Sequence, residues 1–218
     1  GGVLASNGYI YGIPHNSTTV LRIDPITNTT ITFGTLTFTA PGWAGGTLAP
    51  NGMIYGTPYN STTVLRIDPT TNTAATFGSL PGINKWIGGV LAPNGMIYCV
   101  PYNSTSVLKI DPVTHATTTF GSFSTSNWVG GVLAGDGMIY GIPNGIQTRI
   151  LRIDPTNDTT TTFAGAPVAD WQGGTLAPNG MIYCVGSGTM SSASVLRIGS
   201  GPDVQLNHTL SRFFNKSF

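Results

Sequence analysis

An all-β fold built from repeats of one four-stranded unit is what this sequence predicts, on three observations. First, one string recurs almost unchanged: "WAGGTLAPNGMIYGTPYNSTTVLRIDP" from Trp43 and "WIGGVLAPNGMIYCVPYNSTSVLKIDP" from Trp86. Partial copies start at Trp128 and Trp171, and one without its Trp starts at Gly1. Second, the Gly-Gly pairs at Gly1, Gly45, Gly88, Gly130 and Gly173 set a period of about 43 residues, the mark of a repeat architecture. Third, the chain is rich in Thr, Ser, Asn and Gly, and no segment carries a helical apolar period.

The third copy shows the elements in order. "GGVLA" (88–92) reads as a short first strand, closed by the turn Pro93 to Gly95. Asn-Gly between apolar runs is a strong hairpin signal, so "MIYCVPY" (96–102) reads as the second strand. The turn "NST" leads to "SVLKIDP" (106–112), and the turn "VTH" to the Thr-rich "TTTFG" (117–121). Asp-Pro followed by Thr or Asn is turn chemistry, because Pro presets φ and Asp bonds the backbone ahead of it.

Four antiparallel strands in about 43 residues match a β-propeller blade, and five copies predict a five-bladed ring. The small residues of "GGxLA" suit the crowded axis, and the Thr-rich strand suits the solvated outer edge. Blade boundaries fall at about 1–42, 43–85, 86–127, 128–170 and 171–202, with a tail over 203–218. Within that stretch "DVQLNHTL" offers a fourth strand for the last blade. Closure of the ring then rests on packing of blade one against blade five. The remainder, with Phe213, Phe214 and Phe218, is expected to be a tether or an assembly contact.

The motif running from "GGTLAPNGMIYGTP" to "LRIDPTTNT" (Gly45 to Thr73) resembles the kelch-type blade. That pattern places a Gly-containing strand before "IY" and a Tyr-Asp-Pro strand after it. Where the kelch pattern has a further Gly pair, this sequence has Gly12-Ile13-Pro14 and its equivalents. In repeat length and blade number the chain is also similar to the tachylectin-type five-bladed lectins. These resemblances imply a propeller and a lectin-like role.

Alternation of strand direction sorts the loops onto two ends. The Asn-Gly and Asp-Pro turns share one end. The other end carries Trp43, Trp86, Trp128 and Trp171 together with His15, Asn16, Tyr59, Asn60, Tyr102 and Asn103. Aromatic rings beside amides suit a sugar, since the ring stacks on C–H faces while Asn bonds hydroxyls. Repetition around the ring predicts several equivalent weak sites acting by avidity. A Trp wedged between blades and a Tyr-Asn pair that is simply a turn explain the same residues structurally. Blade four reads "PNGIQTR" and blade five "GSGTMSSA" here, so three blades at most carry the full pattern. Glycosylation sequons stand at Asn16, Asn28, Asn60, Asn103, Asn157, Asn207 and Asn215. Glycans at three of them would crowd the proposed binding end.

The charged residues follow the repeat. Arg22, Arg66, Lys109, Arg152 and Arg197 fill one position, and Asp24, Asp68, Asp111 and Asp154 lie two residues on. Each cation is expected to reach a neighbouring blade or an Asp, and each Asp to lock its own turn. Cys99 and Cys184 replace a Gly in blades three and five, too far apart for a disulfide, so both are expected to be free and buried.

The chain has 9 Lys+Arg, 8 Asp and no Glu, for a net charge of +1. That gives no electrostatic footprint for nucleic acid, and no run is long and apolar enough for membrane insertion. No Cys/His spacing suits a metal, no cofactor is implied, and His15, His115 and His208 fall at unrelated repeat positions. The expectation is therefore no enzyme. Two functions follow: a multivalent lectin-like module, or a structural or protein–protein interaction domain of a larger extracellular assembly. Glycans or a protein are the expected partners, and a secreted or cell-surface location is expected. The chain reads as a piece of something longer, since it opens inside a repeat.

Overall fold

The computed structural model describes residues 1–37, 41–124, 126–168, 170–187, 195–199 and 207–208. Among them are five antiparallel sheets, each a four-stranded meander in chain order. The first comprises β1 (Gly2–Leu4), β2 (Ile10–Gly12), β3 (Val20–Asp24) and β4 (Thr29–Phe33). The second comprises β5 (Trp43–Leu48), β6 (Ile54–Pro58), β7 (Val64–Asp68) and β8 (Thr73–Phe77). The third comprises β9 (Trp86–Leu91), β10 (Ile97–Pro101), β11 (Val107–Ile110) and β12 (Thr117–Phe120). The fourth comprises β13 (Trp128–Leu133), β14 (Ile139–Pro143), β15 (Arg149–Asp154) and β16 (Thr159–Ala164). The fifth comprises β17 (Asp170–Leu176), β18 (Met181–Ser187), β19 (Val195–Gly199) and the two-residue β20 (Asn207–His208). This is a propeller-like fold of repeated four-stranded sheets.

Burial follows strand order. The second strands β6, β10 and β14 are buried at every residue, which is why each reads as an unbroken apolar run. The Thr-rich β4 and β8 are mostly exposed, as an outer edge should be. The first strands pack against one another in series, β1 on β5, β5 on β9, β9 on β13 and β13 on β17.

Each Gly pair in that inner series has two separate reasons to exist. Gly45 and Gly88 have φ of 90° and 77°, and a Cβ on them would sit 3.1 and 3.0 Å from the Cα of Gly88 and Gly130. Backbone meets backbone there, in a conformation that L side chains avoid. The next residue meets the preceding sheet instead: a Cβ on Gly46 would be 2.5 Å from Ile13 Cδ1, and one on Gly131 would be 2.8 Å from Val100. In four sheets the same stretch carries a register shift between the first two strands or within the second.

Four apolar clusters fill the four junctions between consecutive sheets. In the first junction Ile13 and Tyr11 meet Leu65 and Ile67, and the other three repeat the arrangement. Hydrogen bonds clip the same junctions at the turn end. Asn7, Asn51 and Asn94 donate through Nδ2 to the carbonyls of Pro69, Pro112 and Pro155 in the following sheet, at 2.9, 2.9 and 2.7 Å. The hydroxyls of Tyr11, Tyr55 and Tyr98 donate to the same three carbonyls. The Asn of each of these three Asn-Gly turns therefore shapes a hairpin and also joins two sheets.

The five sheets match the expected repeat, and the backbone of Asn207–His208 pairs with β19 in the fourth-strand place. The rest of the 203–218 tail lies outside the described residues. Closure of blade one onto blade five does not follow the pattern of the other junctions. Leu21 is 37% exposed although its equivalents Leu65, Leu108 and Leu151 are fully buried. Val185 is 69% exposed although Val100 and Ile142 are fully buried.

Candidate functional site

The four Trp do not present rings to solvent. Trp43, Trp86, Trp128 and Trp171 are all buried. The indole N–H of the first three donates within its own sheet, to the carbonyls of Thr63, Ser106 and Arg149 at 2.7, 2.8 and 2.6 Å. A Trp at the mouth of an inner strand fills the gap below the long loop, and its one polar atom is satisfied there. As stacking platforms these four residues are corrected to core.

The residues beside them are different. His15, Tyr59 and Tyr102 occupy one repeat position in successive sheets, and their rings form a row. Ring centroids lie 5.8 Å apart for His15 and Tyr59, and 6.1 Å for Tyr59 and Tyr102. His15 is exposed and both tyrosines are half-buried. The row makes one continuous ledge, where the repeat had predicted separate equivalent sites. In the fourth sheet the position holds Asn144, buried, with Nδ2 donating to Trp171 O at 3.0 Å. His15 Nδ1 lies 3.1 Å from Trp43 O in the same way. The side chain at this position thus bridges to the entry of the next sheet.

The amides divide. Asn16 and Asn103 are exposed beside the row. Asn60 is committed to the scaffold, its Oδ1 accepting from the Asn84 amide at 2.6 Å. Of the other sequons, Asn28 and Asn157 stand exposed in turns, the side chain of Asn207 is not described, and Asn215 lies outside the described residues.

Lys85 lies under the ledge, and sequence reasoning passed it over. It is 4% exposed, and Nζ donates to the carbonyls of Tyr59, Ser61 and Gly82 at 3.1, 2.9 and 2.8 Å. Its backbone N–H also donates to Tyr59 O, and its carbonyl accepts from the Tyr102 amide. One residue therefore ties the Tyr59 loop to the Tyr102 loop. Burial lowers the Lys85 ammonium to a pKa of about 8. Burial, and secondarily the charge of Tyr102, raises the Tyr59 hydroxyl. Sequence held one signal for this, a Lys at a position where the other copies have Gly42, Asn127 and Asp170.

At the opposite end a cleft of about 510 Å³ opens between the third and fourth sheets, lined by Asn94, Lys109, Asp111, Thr156 and Asp158 among others. Lys109 Nζ pairs with Asp158 across it at 2.5 Å. In the preceding junction Arg66 meets His115 at 3.1 Å instead. Asn72, His115 and Asp158 share one turn position with φ of 52°, 58° and 56°. His115 and Asp158 there meet the cation of the preceding sheet, while Asn72 accepts from the Tyr11 hydroxyl and Arg22 lies over the Tyr9 ring. Asp24, Asp68, Asp111 and Asp154 accept from amides two residues on, at 2.9, 2.8, 2.8 and 2.9 Å, which locks their turns. These bonds hold all four carboxyls below the usual range. The main cause is the Ile26 amide for Asp24, and the hydroxyls of Thr70, Thr114 and Thr156 for the others. Cys99 and Cys184 are free and buried, and burial pushes both thiols up to about 12. Among the described residues no three His, Cys, Asp or Glu side chains gather into a metal site.

Sheets, junctions and loop ends together define a β-propeller-like repeat protein. More particularly, the chain belongs to the family described as "Repeat of unknown function (DUF6923)", whose model matches residues 49–199. A search of curated proteins found no match.

Among solved structures it is similar to virginiamycin B lyase from Staphylococcus aureus. Identity is 17% with a TM-score of 0.78, over 97% of this chain and 70% of that one. It is also similar to the extracellular domain of a proposed one component system, BT4673, from B. thetaiotaomicron. There identity is 13% and the TM-score 0.69, over 98% of this chain and 30% of that one. A third is an auxiliary nutrient binding protein from Bacteroides ovatus, at 14% identity and a TM-score of 0.66, over 94% and 56%.

The lyase corrects the expectation of no enzyme, because this fold carries catalysis in a structure similar along nearly the whole chain. That expectation rested on scarce acids and scattered His, and a shared fold hosts many chemistries through its loops. At these identities the likeness is of fold. Repeated four-stranded sheets stand, and the family shown is the DUF6923 repeat; these likenesses carry the kelch and tachylectin resemblance no further than the propeller-like fold.

Proposed function

We propose that this protein binds carbohydrate along the ledge formed by His15, Tyr59 and Tyr102, at or outside the cell surface. The observation that supports it is the row itself: three partly exposed rings about 6 Å apart, with the free amides of Asn16 and Asn103 alongside. The rings are tilted to one another by 39° and 44°, so each offers its own apolar face to sugar C–H groups, and amides both donate to and accept from hydroxyls. The nutrient-binding and extracellular neighbours use a similar scaffold, which favours a ligand-binding role outside the cell. Adjacent platforms on one ledge suit an extended glycan better than scattered single sugars, because each added contact is then intramolecular.

The test is a glycan-array screen of unglycosylated protein, followed by calorimetry with a Tyr59→Ala/Tyr102→Ala variant. Aromatic contacts of this kind contribute about 0.5–1.5 kcal/mol each beyond area burial, about 1–3 kcal/mol for two, so the double variant should bind at least about fivefold more weakly. Circular dichroism should show the variant folded. Absence of saturable binding to any glycan, or equal binding by both proteins, would overturn the proposal.

A further inference from the structure

The faces at the two ends of the series are built like the ones that meet inside it. At the first three internal junctions the trailing face of one sheet offers a Tyr hydroxyl and a turn Asn, and the leading face of the next offers a Leu on its third strand and a Pro carbonyl. An aliphatic side chain joins them at the first, third and fourth junctions, from Ile13, Val100 and Ile142, while Thr57 holds that place at the second; at the fourth, Asp136 replaces the turn Asn. The trailing face of the fifth sheet has all of its parts: Tyr183, Asn179 and Val185. Here Asn179 donates to the Tyr183 hydroxyl at 2.9 Å, as Asn51 does to Tyr55 at 3.0 Å. The leading face of the first sheet likewise has Leu21, followed by Asp24-Pro25. Yet Val185 and Leu21 are 69% and 37% exposed, and Leu4 beside the axis is 62% exposed.

The chain aligns over 97% of its length with 70% of the lyase, the share that five of about seven equal blades would fill. In the lyase the remaining length belongs to the same polypeptide. We infer that the end faces at Leu21 and Val185 are seats for two further blades of this repeat, carried on the same polypeptide, that complete a ring of about seven. The likeness of both faces to those of the first three junctions identifies the occupant. It must supply a Leu and a Pro carbonyl to Tyr183 and Asn179, and an aliphatic side chain and a Tyr hydroxyl to Leu21 and Pro25.

Two measurements test this. Ser6, Pro50, Gly135 and Pro178 sit at one exposed position of the first hairpin turn, Asn-Gly in sheets one, two and five and Asp-Gly in sheet four. Spin labels go on cysteine at these sites, the native thiols being buried and protonated. The Ser6→Cys/Pro178→Cys distance should be close to that of Ser6→Cys/Gly135→Cys, three steps apart. A distance equal to that of Ser6→Cys/Pro50→Cys would mean a closed five-blade ring and overturn the inference. In the second measurement, two more copies of residues 86–127 are joined after Phe218, and thiol modification is followed in Val185→Cys and Leu21→Cys variants. Both should react at least tenfold more slowly than in the unextended chain. Unchanged rates in a folded extended chain would overturn the inference. So would protection in the unextended chain that grows with concentration, since the occupant would then be a second copy.

Discussion

Lys85 carries a charge where the fold leaves little water. Its three acceptors are carbonyls, with no carboxylate among them. The sign of the pH effect follows. The folded ammonium titrates at about 8 and the unfolded one at 10.5, so between those values the unfolded chain holds more protons. Stability should therefore rise from pH 8 to pH 10.5 relative to a Lys85→Met variant, measured by urea unfolding at each pH. The turn Asn is the other residue whose role lies between sheets. Asn51→Ala removes the bonds to Pro112 O and to the Tyr55 hydroxyl, and should cost about 1–3 kcal/mol. Asn51→Asp should cost as much, because a carboxylate cannot donate to a carbonyl. The fourth sheet supports this: it carries Asp136, which accepts from Tyr140, and the fifth sheet has no Asp-Pro turn in the following position.

The inner strand is the least tolerant element. Gly88 combines a φ of 77° with a 3.0 Å approach to the Gly130 backbone, so neither rotation nor a neighbouring side chain can make room. Gly88→Ala should lower the unfolding free energy by about 1–3 kcal/mol, seen as a shift in denaturant midpoint. Gly95→Ala, in a turn with φ of 81° and open space around it, should cost only the backbone strain. The comparison separates conformation from crowding. The second strands are the opposite case, since their apolar run fixes burial on both faces whatever the partner.

At the scale of the molecule, stability is a sum over sheets and the junctions between them. The second, third and fourth sheets have two junctions each, and the first and fifth have one packed as the others are. Hydrogen exchange should therefore protect β6, β10 and β14 most and β2 least, read amide by amide. Equal protection of β2 and β10 would show a fully closed ring instead.

The repeat, the order of strands, the turn chemistry and the buried Cys positions were legible in the sequence, because each depends on residues within one copy of about 43. The two loop ends were legible too, since strand alternation alone assigns them. The burial of Trp43 and its three equivalents was not. An indole beside a polar loop has the same local pattern whether it faces water or the sheet below, and Thr63 O decided it from 20 residues away. Nor did the pattern show that His15, Tyr59 and Tyr102 touch, that Lys85 lies beneath them, or that Asn51 reaches Pro112. Those are relations between copies, set by the angle at which one sheet packs on the next. That angle also decides how many sheets close a ring, and it comes from side chains such as Ile13 against Gly46 and Leu65, which meet only once the copies have folded.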